Sequence, residues 1–315
     1  MAIYDCFTFY NEYDILELRL RTLYDVVDYF VICELDVTQS GDKKPYNFES
    51  HKEKYRQYLD KIIYLKETDA PVLQHDKLEQ ENSLIMNGDW AIENYQRNCI
   101  MHALQKCRPE DIVIISDLDE IPNPDILKNI QEQRVYFPAF YPEIRNWIKS
   151  MAFTISFING LKSVKNIMMG QYYVKDVLPY MPISLELGLF YYFVNCKSRG
   201  FWRYPIMSYY KNMFMPQVLR ESAYHAPYIK NGGWHLSYMG GMDRIKKKLS
   251  AIIEGNTNIA KDDKYIENCL DNGIDLYGRK GKEFIYDFID VKELTIPGIE
   301  EFIKKYPYLY RAPRG

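Results

Sequence analysis

The first 135 residues alternate short apolar stretches with amphipathic ones, and the series closes on four consecutive apolar residues, Ile112-Val113-Ile114-Ile115, followed at once by an acidic cluster. Ile3 to Phe9 has the composition of a strand, ended by the turn-like Tyr10-Asn11. Asn11 is placed to cap the next helix, with Asp14 three residues on as a weak capping-box partner. Leu16, Leu20, Leu23 and Val27 recur at helical spacing, and Tyr29 to Cys33 is a second apolar run ending at Glu34. A helix near Lys52 to Leu59, a strand at Ile62 to Leu65 and a longer helix marked by Ile92, Tyr95, Cys99 and Ala103 lead to the 112–115 run, which reads as a strand buried on both faces. Strands and helices in strict alternation predict an α/β domain with a mostly parallel sheet and helices on both faces. Ligands of such sheets sit beyond the carboxyl ends of the strands, where Asn11-Glu12, Glu34 and Ser116-Asp117-Leu118-Asp119-Glu120 fall.

Composition narrows the class. At 315 residues the chain fits one large domain, or a core domain with an attached lobe. Hydrophobic residues at 47% and charged ones at 26% exclude disordered and fibrous classes. With 40 basic against 43 acidic residues there is no basic excess for bulk nucleic-acid binding. The 29 tyrosines suit sugar and nucleotide contacts as well as cores. No targeting segment or long apolar span is visible, and six scattered cysteines without a C-x-x-C pair read as reduced thiols, so the expected setting is cytoplasmic. No Gly-rich phosphate loop is present, which leaves phosphate to another device.

The acidic cluster carries the sharpest chemistry. Extended backbone puts residues i and i+2 on one side, so Asp117 and Asp119 can face one point. Two such carboxylates repel unless a cation or an arginine neutralises them. A hard divalent cation with open positions for phosphate oxygens meets that need. Pro122 and Pro124 fix the exit from the strand, and Asn123 is the expected cap of a helix around Asp125 to Glu132. A D-x-D phosphohydrolase normally opens its domain with D-x-D-x-[TV]. Here the motif follows about three strands, and Ile121 stands where Thr or Val would, which favours a nucleotide-sugar transferase of GT-A type.

Several runs resemble glycosyltransferase family 17. They are Tyr4-Asp5-Cys6-Phe7-Thr8-Phe9-Tyr10-Asn11-Glu12-Tyr13-Asp14, Ser116-Asp117-Leu118-Asp119-Glu120-Ile121-Pro122 and Gly232-Gly233-Trp234-His235-Leu236-Ser237-Tyr238-Met239-Gly240-Gly241. Shorter matches are Glu93-x-x-x-Arg97, Tyr192-x-x-Asn195 and Asp275-Leu276-Tyr277. The resemblance implies a GT-A-like fold and inverting transfer of a sugar, usually N-acetylglucosamine from UDP-N-acetylglucosamine, onto a glycan or lipid-linked glycan hydroxyl. The alternatives are a non-catalytic glycan-binding module on a degenerate transferase fold and, more distantly, the phosphohydrolase.

The expected roles follow. Asp117, Asp119 and His235 are the candidate ligands of Mn2+ or Mg2+, His235 by analogy with the late segment that completes the metal shell in GT-A enzymes. Asn11, Glu12, Arg97, Asp117 and Trp234 are the candidate donor contacts, Arg97 pairing with phosphate or with Glu93 four residues before it. The base is open among Glu221, Asp243 and Glu254. The expected organisation is a catalytic domain over 1–142 and 189–290, an inserted amphipathic segment over 143–188 and a helical tail over 291–315. Trp147, Met151, Ile155 and Ile158 form an apolar stripe, and 144–175 carries five basic residues and no acidic one, so that segment either meets an anionic membrane surface or packs as a lobe.

Overall fold

The structure is a computed structural model that describes residues 1–71, 90–138, 171–252 and 257–313. The predicted alternation is present. Strands β1 (Ile3–Thr8), β2 (Tyr29–Leu35), β3 (Ile62–Glu67) and β4 (Ile112–Asp117) are parallel neighbours in the order β3-β2-β1-β4. Strand β5 (Glu120–Pro122) follows the acidic turn, and β6 (Arg134–Val135) and β7 (Tyr172–Tyr173) form a small separate ribbon. The main sheet continues through β8 (Ile183–Tyr191), β9 (Cys196–Trp202), β10 (Ile206–Tyr209), β11 (Tyr228–Ser237) and β12 (Tyr286–Phe288). Strand β10 runs against both β4 and β8, and β11 lies parallel to β8. Seven of the ten strands of this sheet therefore share one direction, and only β5, β9 and β10 oppose it. This mostly parallel α/β sheet is consistent with a GT-A-like fold.

Alternation along β1 builds the two-sided core. Ile3 and Phe7 face the cluster holding Leu16, Leu20 and Leu23 of the helix Tyr13–Leu23, whereas Tyr4 and Cys6 face Cys99, Ile100 and Leu104. On the first side the helix Ile299–Lys305 of the tail also packs. Phe302 is buried, Lys305 Nζ is 2.5 Å from Glu17 Oε1, and Arg21 donates to the carbonyl of Gly298 at 2.6 Å.

Local details depart from the sequence expectations. The helix Tyr13–Leu23 has Glu12, not Asn11, at its cap position and no side-chain cap: Glu12 Oε2 accepts from the Asn11 backbone at 3.0 Å, and Asp14 is engaged by Arg244 at 2.5 Å. The helix expected near Lys52 is a 3-10 stretch, Lys52–Lys61, kinked at Tyr55. Asn123 does cap the helix Pro124–Lys128, accepting from Asp125 N at 3.0 Å, but that helix stops at Asn129. The apolar stripe expected at 147–158 lies outside the described residues. All six cysteines are free, and among the described residues no helix is long and apolar enough to cross a membrane.

Candidate active site

Strand β4 ends at Asp117, the chain turns through Leu118 and Asp119, and β5 returns antiparallel to β11 so that Glu120 lies opposite His235. The shape of this turn is held from below. Arg19, fully buried, donates from Nη1 to the carbonyls of Asp117 (2.7 Å), Leu118 (3.0 Å) and Glu120 (3.0 Å). Its other nitrogens reach Asp5 at 2.5 and 2.8 Å and Ser116 Oγ at 2.6 Å. A guanidinium has five N–H donors in a fixed fork, and here they pin three successive parts of the turn.

Above the turn is a cavity of about 700 Å³, of the size that takes a small-molecule ligand. Asp117 and Asp119 both line it, on different partners. Asp117 Oδ1 accepts from Arg97 Nη2 at 2.9 Å and its Oδ2 from Arg220 Nη2 at 2.6 Å. Arg97 also pairs with Glu93 at 2.7 Å and donates to Gln217, so the intrahelical pair and the contact toward the acidic strand coexist. Arg220 also clamps buried Glu120 at 2.8 and 2.9 Å, and Trp202 Nε1 donates to the same carboxylate. Burial would raise the Asp117 carboxyl, but Arg220 and then Arg97 bring it below its ordinary value.

Asp119 meets a different set. Lys248, from the helix Met242–Ala251, stands 3.1 Å from its Oδ2, and His235 Nε2 is 3.5 Å from its Oδ1. Burial again opposes ionisation, and Lys248 followed by His235 hold the carboxyl well below its usual range. Lys248 is held charged in return: burial works against its cationic form, and Asp119 and Glu12 outweigh that. His235 Nδ1 is buried and has no hydrogen-bond partner among the described residues.

The donor chemistry sorts the candidate metal ligands. Both Asp117 oxygens are bound by guanidinium groups at 2.9 and 2.6 Å, whereas Asp119 has Lys248 on Oδ2 and only the 3.5 Å approach of His235 on Oδ1, so the carboxylate–imidazole pair that better fits a hard divalent cation is Asp119 with His235. The charge of the cavity agrees. Among the described residues five carboxylates line it (Glu12, Glu93, Asp117, Asp119, Glu221) against four cations (Lys44, Arg97, Arg220, Lys248), so these walls carry no surplus of positive charge for a diphosphate. Glu67, Cys99 and His102 also cluster at ligand distance, but burial pushes the Cys99 thiol up to about 11, which leaves a neutral, poor ligand, and the trio is outside this cavity.

Several predicted site residues are corrected. Trp234 is 5% exposed in the core, its Nε1 donating to Thr295 Oγ1 at 3.0 Å. Strand alternation sends it to the face opposite His235, so it cannot reach a donor in the cavity. Asp243 is exposed in the first turn of its helix and does not line the cavity, whereas Glu221 does, accepting from Gln217 Nε2 at 3.0 Å. Glu254 lies outside the described residues. Asn11 lines a smaller neighbouring cavity of about 200 Å³, and Glu12 lines both. Glu34 is structural: it accepts from Lys44 Nζ, Tyr64 OH and the backbone of Asn47 and Phe48. The glycines beside the Trp-His run serve strand packing. At Gly233, with φ +145°, a Cβ would stand 2.0 Å from the Ile121 carbonyl. Arg19, Arg220, Lys248, Trp202 and Tyr204 were not among the predicted residues.

Comparison with known proteins bears on the first part of the chain, which supplies Asp117 and Asp119. A family model described as Glycosyltransferase family 17 matches residues 1–177. A beta-1,4-mannosyl-glycoprotein 4-beta-N-acetylglucosaminyltransferase of Homo sapiens is 30% identical over 121 residues, covering 36% of this chain and 21% of that protein. The protein of the same description from Rattus norvegicus is 30% identical over 121 residues, and that from Mus musculus 29%. The match thus spans only about a fifth of the length of these relatives.

Proposed function

Because this chain belongs to glycosyltransferase family 17, we propose that it transfers a sugar, N-acetylglucosamine from UDP-N-acetylglucosamine, onto a glycan hydroxyl with inversion. The observation that carries the reading is the D-x-D turn at the end of β4, opening into a cavity where Asp119, His235 and Lys248 converge. A phosphohydrolase would need the first aspartate free to attack phosphorus, and Asp117 has both oxygens bound to arginines.

In the transfer, the acceptor oxygen bonds to the anomeric carbon as that carbon's bond to the diphosphate oxygen breaks. The bonding pair leaves with UDP, and the hydroxyl proton goes to a carboxylate. Negative charge grows on the leaving diphosphate, so groups aimed there stabilise the transition state more than the ground state. Lys248 stands on the cavity wall to meet that charge, and Asp119 with His235 would hold a divalent cation, manganese or magnesium. Such an ion would supply the positive charge that the wall lacks. Glu221 takes the role of base, being, among the described residues, the candidate carboxylate that lines the cavity. Glu12 and Arg97 bound the donor side.

The test is UDP release and glycan transfer over a panel of UDP-sugars with manganese present. Asp119→Ala should lower both by at least about 100-fold. Glu221→Gln should lower transfer by about 100-fold or more while retaining UDP-sugar binding. A wild-type chain that binds saccharides but turns over no donor would replace the enzyme reading with a glycan-binding module. An unimpaired Glu221→Gln would remove Glu221 as base.

A further inference from the structure

Beside the cavity runs a file of aromatic and basic side chains that the transfer chemistry above does not use. Trp202 and Tyr204 line the cavity, their ring centroids 4.7 Å apart, with Trp202 4.6 Å from the His235 ring. From Tyr204 a file of aromatic groups leads outward. Tyr224, half exposed, lies 6.4 Å from Tyr204, and the Arg203 guanidinium sits over both Tyr224 (5.0 Å) and Tyr228 (4.7 Å). Tyr228 stacks on Tyr136 at 5.9 Å, and Lys230 Nζ lies over Tyr136 at 4.5 Å.

Two features set this file apart from ordinary surface decoration. First, Arg203 and Lys230 make no ion pair with a carboxylate among the described residues, in contrast to Arg97, Arg199, Arg220, Arg244, Arg279 and Arg311. Arg203 is half-buried between two ring faces, which orient its fork, and among the described residues its side chain donates no hydrogen bond. Second, Lys230 is lifted by a break in the β8–β11 register between Ile229 and Gly233, within which Asn231 adopts φ +54°. A bulge with a non-glycine residue in left-handed backbone is a strained feature that re-aims side chains. The carboxylate facing these cations is Glu186, whose carboxyl burial pushes above its ordinary range against the pull of Arg203 and Lys230.

Resting on the transferase reading, we propose that this file is the acceptor subsite and that the acceptor is an anionic saccharide, with its carboxylate or phosphate held by Arg203 and Lys230. Tyrosine faces accept the apolar C–H faces of sugar rings, and the two cations between them select charge. Entry along the file leads past Tyr204 to Glu221, which lines the same cavity.

The experiment is equilibrium binding of defined probes to the full chain by calorimetry, with and without UDP. The probes are trigalacturonate, its uncharged methyl ester, a phosphorylated mannotriose and inorganic phosphate. One or both anionic saccharides should bind at least about tenfold more tightly than the ester, with affinity falling as salt rises. Arg203→Ala combined with Lys230→Ala should remove that advantage at an unchanged melting temperature, and Arg203→Lys should restore part of it. The tighter of the two saccharides identifies the anion. The ester binding as tightly as the acid, no anionic saccharide binding, the double variant behaving as wild type, or inorganic phosphate binding as tightly as the saccharides would each overturn the proposal. UDP release by the wild-type chain is scored separately. Its absence would sink the transferase reading and leave the saccharide result to stand by itself.

Discussion

The two aspartates of one turn, two residues apart, face opposite flanks of the cavity, and the flanks are built differently. On the Asp117 flank, Arg97 and Arg220 are buried, and every charge has a close partner: Glu93, Asp117 and Glu120 take up both guanidinium groups. On the Asp119 flank, Lys248 has a quarter of its side chain exposed, His235 keeps a buried nitrogen without a partner, and the Asp119–His235 approach is a long 3.5 Å. The first flank is a closed network that fixes geometry. The second is incomplete on its own, as expected of a surface that finishes its bonding with a ligand. Identical residue types in one motif thus divide the work according to what the neighbouring helices bring.

The strongest way to break this comparison is to remove what both flanks stand on. Arg19→Met leaves Asp5 buried without its partner and frees three carbonyls of the turn, and should cost about 3–5 kcal/mol in denaturant unfolding. A variant that unfolds at the wild-type denaturant midpoint would mean that something else shapes the turn. The contrast between flanks is then sharpened by paired substitutions. Arg220→Met should cost about 2–4 kcal/mol, because Glu120 loses its buried cation. Lys248→Met should cost less than Arg220→Met, because the lysine is a quarter exposed and His235 stays beside Asp119, yet it should slow UDP release. Equal stability losses would erase the distinction drawn between the flanks.

Much of this was legible in the sequence, for reasons of periodicity. Strand β4 could be placed because four apolar residues in a row suit a strand buried on both faces, and the acidic turn followed from its position after it. Arg19 also left a trace: it falls three residues after Leu16 and four before Leu23, inside the apolar stripe, where a charge demands a buried partner. The Trp234 assignment failed on a rule available beforehand. Neighbouring strand residues point to opposite faces, so placing His235 at the cavity already sent Trp234 to the core. Arg220 and Lys248 left no such trace, because their helices reach the site through tertiary packing that no local spacing encodes. Two of the shorter family matches prove to be pins of the fold: Asn195 Nδ2 holds the carbonyls of Ile289 and Arg311, and Asp275 holds Arg279.

The most direct test of the division between the two aspartates is the manganese dependence of UDP release. His235→Ala should raise the manganese concentration for half-maximal rate by at least about tenfold while changing the donor KM at saturating manganese far less. Asp117→Asn, which removes no ligand in this account, should weaken donor use without that shift. An unchanged manganese dependence in His235→Ala, or a larger shift in Asp117→Asn, would contradict the assignment of Asp119 and His235 as the metal-holding pair.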